Sequence, residues 1–159
     1  MKVCILCVGK IKEKFFVDAI KEYTKRLSRY TKLEIVEVND EKTKENASDR
    51  DIEIVQDMEG QRLLRHIDEG DYVVALDIQG KMYDSVQFAD KLAKFEMERH
   101  KRVIFVIGGS LGICESILKR ANEKISFSKM TFPHQLMRVI LLEQIYRGYR
   151  IINNEPYHK

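Results

Sequence analysis

RVIFVIGGSLG, residues Arg102 to Gly112, decides how this chain is read. Val103 to Ile107 are five apolar residues rich in branched side chains, the pattern of a strand buried in an α/β sheet. Gly108 and Gly109 end it. Without a Cβ they let a flat ligand approach the main chain, whose N–H and C=O groups can read an adenine edge. GGSLG matches neither GxGxxG nor GxxxxGK[ST], so it offers no pyrophosphate or triphosphate grip. Alone, the same residues also describe an ordinary strand-to-helix turn.

A second loop shifts the balance toward a cofactor site. In ISFSKMTFPHQLMR, Ile125 to Arg138, a short strand over Ile125 to Phe127 gives way to Ser128, Lys129, Met130 and Thr131. These offer hydroxyls, a cation and exposed amides. Pro133 suits the first turn of a helix, where its missing N–H costs nothing, with Thr131 or Phe132 at or just before the cap. Met137, Ile140, Leu141, Ile145, Tyr149 and Ile152 then recur at helical spacing. Arg138, Arg147 and Arg150 fall largely off that apolar face.

Outward from these loops, strands and helices alternate. Val3 to Val8, Leu33 to Val38 and Tyr72 to Leu76 read as strands. Helices are expected over about Lys14 to Arg29, from Ser48 toward Ile67, over Ser85 to Arg99 and around Cys114 to Ala121. Ser48 is the expected N-cap, with Asp51 three residues on. Such alternation implies a mainly parallel sheet with helices on both faces. Ligands bind such sheets outside the carboxyl ends of the strands, where the loops after Leu76, Ile107 and Phe127 would meet if those strands are neighbours.

At 159 residues and 44% apolar content, one domain over 1–159 is the economical expectation. No apolar run approaches a membrane span, and MKVCILCVG is too short for a signal-peptide core, so a cytoplasmic location is expected. Three cysteines argue against a disulfide framework. Cys4 and Cys7 form a C-x-x-C, but residues three apart on a strand point to opposite faces and cannot converge on one metal. His66, His100, His134 and His158 show no ligand spacing, and no metal is expected.

The net charge of +3 hides an uneven distribution. Lys10 to Lys32 and Lys119 to Arg150 each carry a balance of +5, while Glu37 to Glu59 carries −6. Two basic segments could form a phosphate-binding face; solvated helix surfaces would read the same way.

Leu76-Asp77-Ile78-Gln79-Gly80-Lys81, Ile107-Gly108-Gly109-Ser110, the run from Ser126 to His134 and terminal Tyr157-His158 closely resemble a known family. So do Val8 to Lys12 and Glu59 to Arg62. This family is the small SPOUT-class methyltransferases that act on a pseudouridine of large-subunit (23S) ribosomal RNA, and the similarity spans the whole chain. The resemblance implies an α/β fold whose C-terminal part is threaded as a trefoil knot, working as a homodimer. It implies S-adenosyl-L-methionine held by Leu76, Gly108, Phe127, Ser128, Lys129, Met130, Thr131 and Phe132. The implied reaction is methylation at N3 of a pseudouridine in a 23S rRNA stem-loop, on the assembled ribosome. N3 must lose its proton, and His158 is the expected base by chemistry, with Tyr157 stacking on or bonding the flipped base. Arg138, one turn beyond His134, could bind phosphate or orient the base. His134 itself, at a helix N-terminus, should have its charged form disfavoured. A non-catalytic ribosome- or RNA-binding protein of the same fold is the alternative.

Overall fold

The computed structural model describes residues 1–159. Ten elements follow one another: β1 Lys2–Val8, α1 Lys14–Leu27, β2 Lys32–Val38, α2 Asp49–Leu64, β3 Tyr72–Met82, α3 Ser85–Met97, β4 Arg102–Ile107, α4 Glu115–Arg120, β5 Glu123–Ser126 and α5 His134–Ile152. The strands form one parallel sheet in the order β2-β1-β4-β3-β5.

Alternation along the strands sorts the core into two layers, because successive side chains leave a strand on opposite faces. Val3, Ile5, Cys7, Val103, Phe105 and Ile107 join Leu27 of α1, Phe88 and Leu92 of α3, and Leu141 and Ile145 of α5. Cys4, Leu6, Val8, Ile104 and Val106 join Leu63 of α2 and Ile117 of α4 on the other face. The helices therefore cover both faces, as the alternating pattern required. Cys4 and Cys7 are separated by the sheet itself, and all three cysteines are free thiols.

Local chemistry fixes the helix starts. Ser48 accepts from the Asp51 N–H, and the Asp51 carboxylate accepts from the Ser48 N–H, a reciprocal capping box. Asp84 and Gln87 repeat the arrangement ahead of α3. α5 has no side-chain cap; its N-cap residue is Pro133, with Phe132 just before it, so the proline stands at the cap rather than in the first turn.

The largest departure from expectation is β3, which continues past Leu76 to Met82. Ile125 of β5 is the register partner of both Leu76 and Lys81, so residues 77–80 bend around it. A Cβ on Gly80 would lie 2.7 Å from backbone atoms of Lys124 and Ile125. Only glycine permits that approach. No helix is long and apolar enough to cross a membrane.

Candidate active site

Since β4, β3 and β5 are neighbours, the loops at their carboxyl ends converge, and they enclose a cavity of about 750 Å³. Its walls are Leu76 to Ile78, where β3 bends around Ile125, Ile107 to Ser110 with Gly112 and Ile113 after β4, and the segment from the end of β5 as far as His134 and Met137. This size and largely apolar lining suit a cofactor-sized ligand held by a few polar groups.

The wall after β4 is a tight reversal. Gly112 has φ +86° and its N–H donates to the Gly109 carbonyl at 3.0 Å. A Cβ on Gly108 would meet the Gly112 backbone at 2.7 Å. α2 braces this loop from behind: Gln56 Nε2 donates to the Leu111 carbonyl at 2.6 Å. Gly60 lies so close that a Cβ there would collide with Cys114 Sγ. Beside it, buried Glu59 lies against Gly109 and accepts from the Glu41 N–H at 3.1 Å. Burial pushes the Glu59 carboxyl above its ordinary range, and that hydrogen bond offsets only part of the effect.

The wall after β5 is shaped by its own hydroxyls. Ser126 Oγ donates to the Ser128 carbonyl, and Ser128 Oγ accepts from the Met130 N–H, both at 3.0 Å. Of the residues that the resemblance assigns to the cofactor, Leu76, Gly108, Phe127, Ser128, Met130, Thr131 and Phe132 line the cavity. Lys129 is exposed and does not line it.

His134 closes the cavity at the start of α5 and was not among the residues assigned a catalytic role. Its position directly after Pro133 was the available signal. Burial, reinforced by the charge of Arg138, lowers its pKa against the weaker pull of Asp40, so the ring is neutral at pH 7. Its Nδ1 is buried without a partner.

The structure moves Arg138 out of the ligand-binding set. Its residue exposure is 1%, and it is the largest fully buried side chain. Nη2 donates to the Val8 and Gly9 carbonyls at 2.9 and 2.6 Å, and Nη1 to Glu37 at 2.6 Å. Both Nη atoms are engaged inside the protein, on the turn that ends β1, and the Nε is buried without a partner, so the guanidinium presents no donor to a phosphate.

The C-terminal tail is folded back rather than loose. Asn154, at φ +53°, reverses the chain after α5. Glu155 then pairs with Arg150 at 2.7 Å, and Arg150 Nη2 donates to the Pro156 carbonyl at 3.0 Å. Tyr157 donates to Glu143 at 3.0 Å beneath the Arg147 guanidinium, which lies 4.7 Å from the ring centroid. Burial, then Glu143, pushes the Tyr157 hydroxyl up to about 12, so it remains a donor. His158 Nδ1 is 3.1 Å from Arg147 Nη1. Tyr157 and His158 are thus attached to α5 at Glu143 and Arg147, about 13 and 20 Å along the helix from His134, and neither lines this chain's cavity.

Comparison with known proteins agrees with the fold. A probable methylase family protein from Haemophilus influenzae Rd KW20 superposes with a TM-score of 0.53 at 8% identity, covering 99% of this chain and 70% of that one. Three clostridial proteins align over the full length of both chains: 57% identical in Clostridium novyi (strain NT), 55% in Clostridium beijerinckii (strain ATCC 51743 / NCIMB 8052) and 53% in Clostridium kluyveri (strain NBRC 12016). Each is named Ribosomal RNA large subunit methyltransferase H. The family model described as "Predicted SPOUT methyltransferase" matches residues 1–158, and with a parallel sheet whose strand ends enclose the cavity, the chain belongs to the SPOUT methyltransferase family.

Proposed function

We propose that this protein transfers a methyl group from S-adenosyl-L-methionine to N3 of a pseudouridine in 23S rRNA, acting on the assembled ribosome as a homodimer. The observation that carries the reading is the full-length identity of more than half to relatives named for large-subunit ribosomal RNA methylation. Family membership implies a methyl donor, and the cavity fits S-adenosyl-L-methionine by its own chemistry. Gly108 and Gly109 open backbone edges to an adenine, Leu76 and Ile107 supply flat apolar contact, and the amides around Ser128 and Thr131 face the ligand's polar groups. Bound there, the sulfonium supplies an electrophilic methyl group.

The protein's part is to hold the nucleophile in line and to remove its proton. His134 closes the cavity wall as a neutral ring whose Nδ1 is buried and out of a substrate's reach. Tyr157 and His158, carried about 13 and 20 Å away along α5, serve the cavity of the second copy, where the phenol orients the flipped base and the imidazole takes the N3 proton. Membership of the family supports a knotted threading of the C-terminal third.

The test mixes purified protein and methyl-labelled S-adenosyl-L-methionine with free large-subunit RNA or with ribosomes lacking the modification. Label in a ribosomal pseudouridine is the expected result. Cofactor binding without incorporation on either substrate would replace this reading with a non-catalytic RNA-binding protein. Co-expressing His158→Ala with Gly108→Val subunits tests the shared site: mixed dimers retain one working cavity only if the tail acts on its partner's, and an inactive mixture overturns that part.

A further inference from the structure

The loop between β1 and α1 carries Lys10 and Lys12 and runs directly into Lys14 and Phe15, which open α1. Phe15 is 66% exposed, with Phe16 as its aromatic neighbour at a centroid distance of 4.4 Å. Lys14 is tied to Asp18 at 2.7 Å, whereas Lys10 and Lys12 are exposed and join no salt bridge. Glu13, the N-cap residue of α1, is the one acid among them.

This loop is held at its base. Gly9 leaves β1 at φ +89°, and its carbonyl and that of Val8 accept from Arg138. The Ile11 N–H donates to Glu37 Oε2 at 3.2 Å, the same oxygen that takes Arg138 Nη1. It also adjoins the cavity, since a Cβ on Gly9 would lie 3.3 Å from His134 Cε1 and His134 is a cavity wall. Two unpaired cations thus stand on an anchored loop at the rim of the cavity, with an exposed ring on the first turn of α1 that follows.

Resting on the methyltransferase reading above, the geometry points to the β1–α1 loop as an RNA docking element: Lys10 and Lys12 hold phosphates beside the target nucleotide, and an unstacked neighbouring base lies on Phe15. Aromatic platforms flanked by cations are how single-stranded segments are held, because every base has a face to stack and every linkage a charge. A duplex offers no free base to the ring, so the fitting partner is the loop of a stem-loop. Arg138 acts here as a positioning residue that fixes the platform relative to the cavity.

The test measures binding to ribosomes lacking the modification by co-sedimentation, from about 50 to 200 mM salt, with KM and kcat on the same particles. Phe15→Ala should weaken binding about ten-fold with the salt slope unchanged. The double variant Lys10→Gln, Lys12→Gln should lower the slope of log affinity against log salt by about 1.5. In both, the rise in KM should exceed the fall in kcat, and S-adenosyl-L-methionine affinity should match wild type. Unchanged ribosome affinity and slope in both variants, with wild type active, would overturn the docking element and leave the enzymatic reading intact. A wild type that neither binds nor labels ribosomes would sink both. If Phe15→Ala instead dissociates the protein into smaller species by sedimentation velocity, the ring belongs to a contact between copies and the proposal fails.

Discussion

Replacing Arg138 by Met separates a structural strut from a ligand-binding arginine. Met keeps the apolar stem and removes the fork, leaving the Val8 and Gly9 carbonyls without their charged donor. Each such bond to a charged group is worth roughly 1.5–3 kcal/mol. The pair with Glu37 adds less than about 1 kcal/mol, because the Glu37 side chain is 35% exposed and water can replace its partner. Against this, the variant no longer buries a guanidinium, which returns part of the sum. The expected net loss is about 3 kcal/mol, by the tendency of broken buried pairs to fall near that size. For a chain of this length that lowers Tm by about 10 °C. Chemical denaturation at fixed protein concentration measures it, with Glu37→Gln as the companion expected to cost about 1 kcal/mol or less. An Arg138→Met protein within about 0.5 kcal/mol of wild type would refute the strut, as would a Glu37→Gln loss equal to that of Arg138→Met.

Gly108→Ala forces a Cβ to within 2.7 Å of the Gly112 backbone, so the β4 loop must shift; a stability loss of about 1–3 kcal/mol should accompany weaker S-adenosyl-L-methionine binding by calorimetry, and unchanged affinity would remove this loop from the cofactor site. For His134 the folded pKa lies below the ordinary imidazole value. The unfolded chain therefore takes up the proton first, and stability should fall as pH drops from about 6.5 toward the folded pKa. His134→Gln should flatten that fall in denaturation midpoints, and an equal pH slope in both proteins would show the ring is not held neutral. Tyr157→Phe removes one hydrogen bond to Glu143, about 1 kcal/mol, and should speed carboxypeptidase release of the last residues; no change in release would mean the ring's packing alone holds the tail.

Local signals carried most of the element pattern. Val103 to Ile107 announced β4 by composition, and Ser48 with Asp51 announced α2 by cap chemistry, because each depends on neighbours within a few residues. The convergence of the three loops followed only once β3 was seen between β4 and β5, an order that alternation does not specify. The extension of β3 over Asp77 to Met82 was invisible because its residues read as a turn and become a strand through pairing with Ile125. Arg138 was misjudged for a similar reason. Helical periodicity puts it off the apolar stripe, and the groups that make its burial tolerable, Glu37 and the Val8 and Gly9 carbonyls, lie at the other end of the chain. Tyr157 and His158 had no periodicity at all, and only the folded-back turn at Asn154 gives them a location.

The strand order also bears on how the protein is made. β1 has β2 on one side and β4 on the other, with Lys2 in register with both Lys32 and Arg102. A nascent chain that has emerged only as far as α3 therefore exposes one edge of β1, apolar from Val3 to Val8, and β3 waits in the same way for β4 and β5. Neither half can close its sheet first. Folding is consequently a late and non-local event, of the slow kind expected when distant strands must find each other. The unfinished sheet is an aggregation hazard for as long as synthesis lasts. The cavity, whose last wall is written after residue 125, is among the final features to exist.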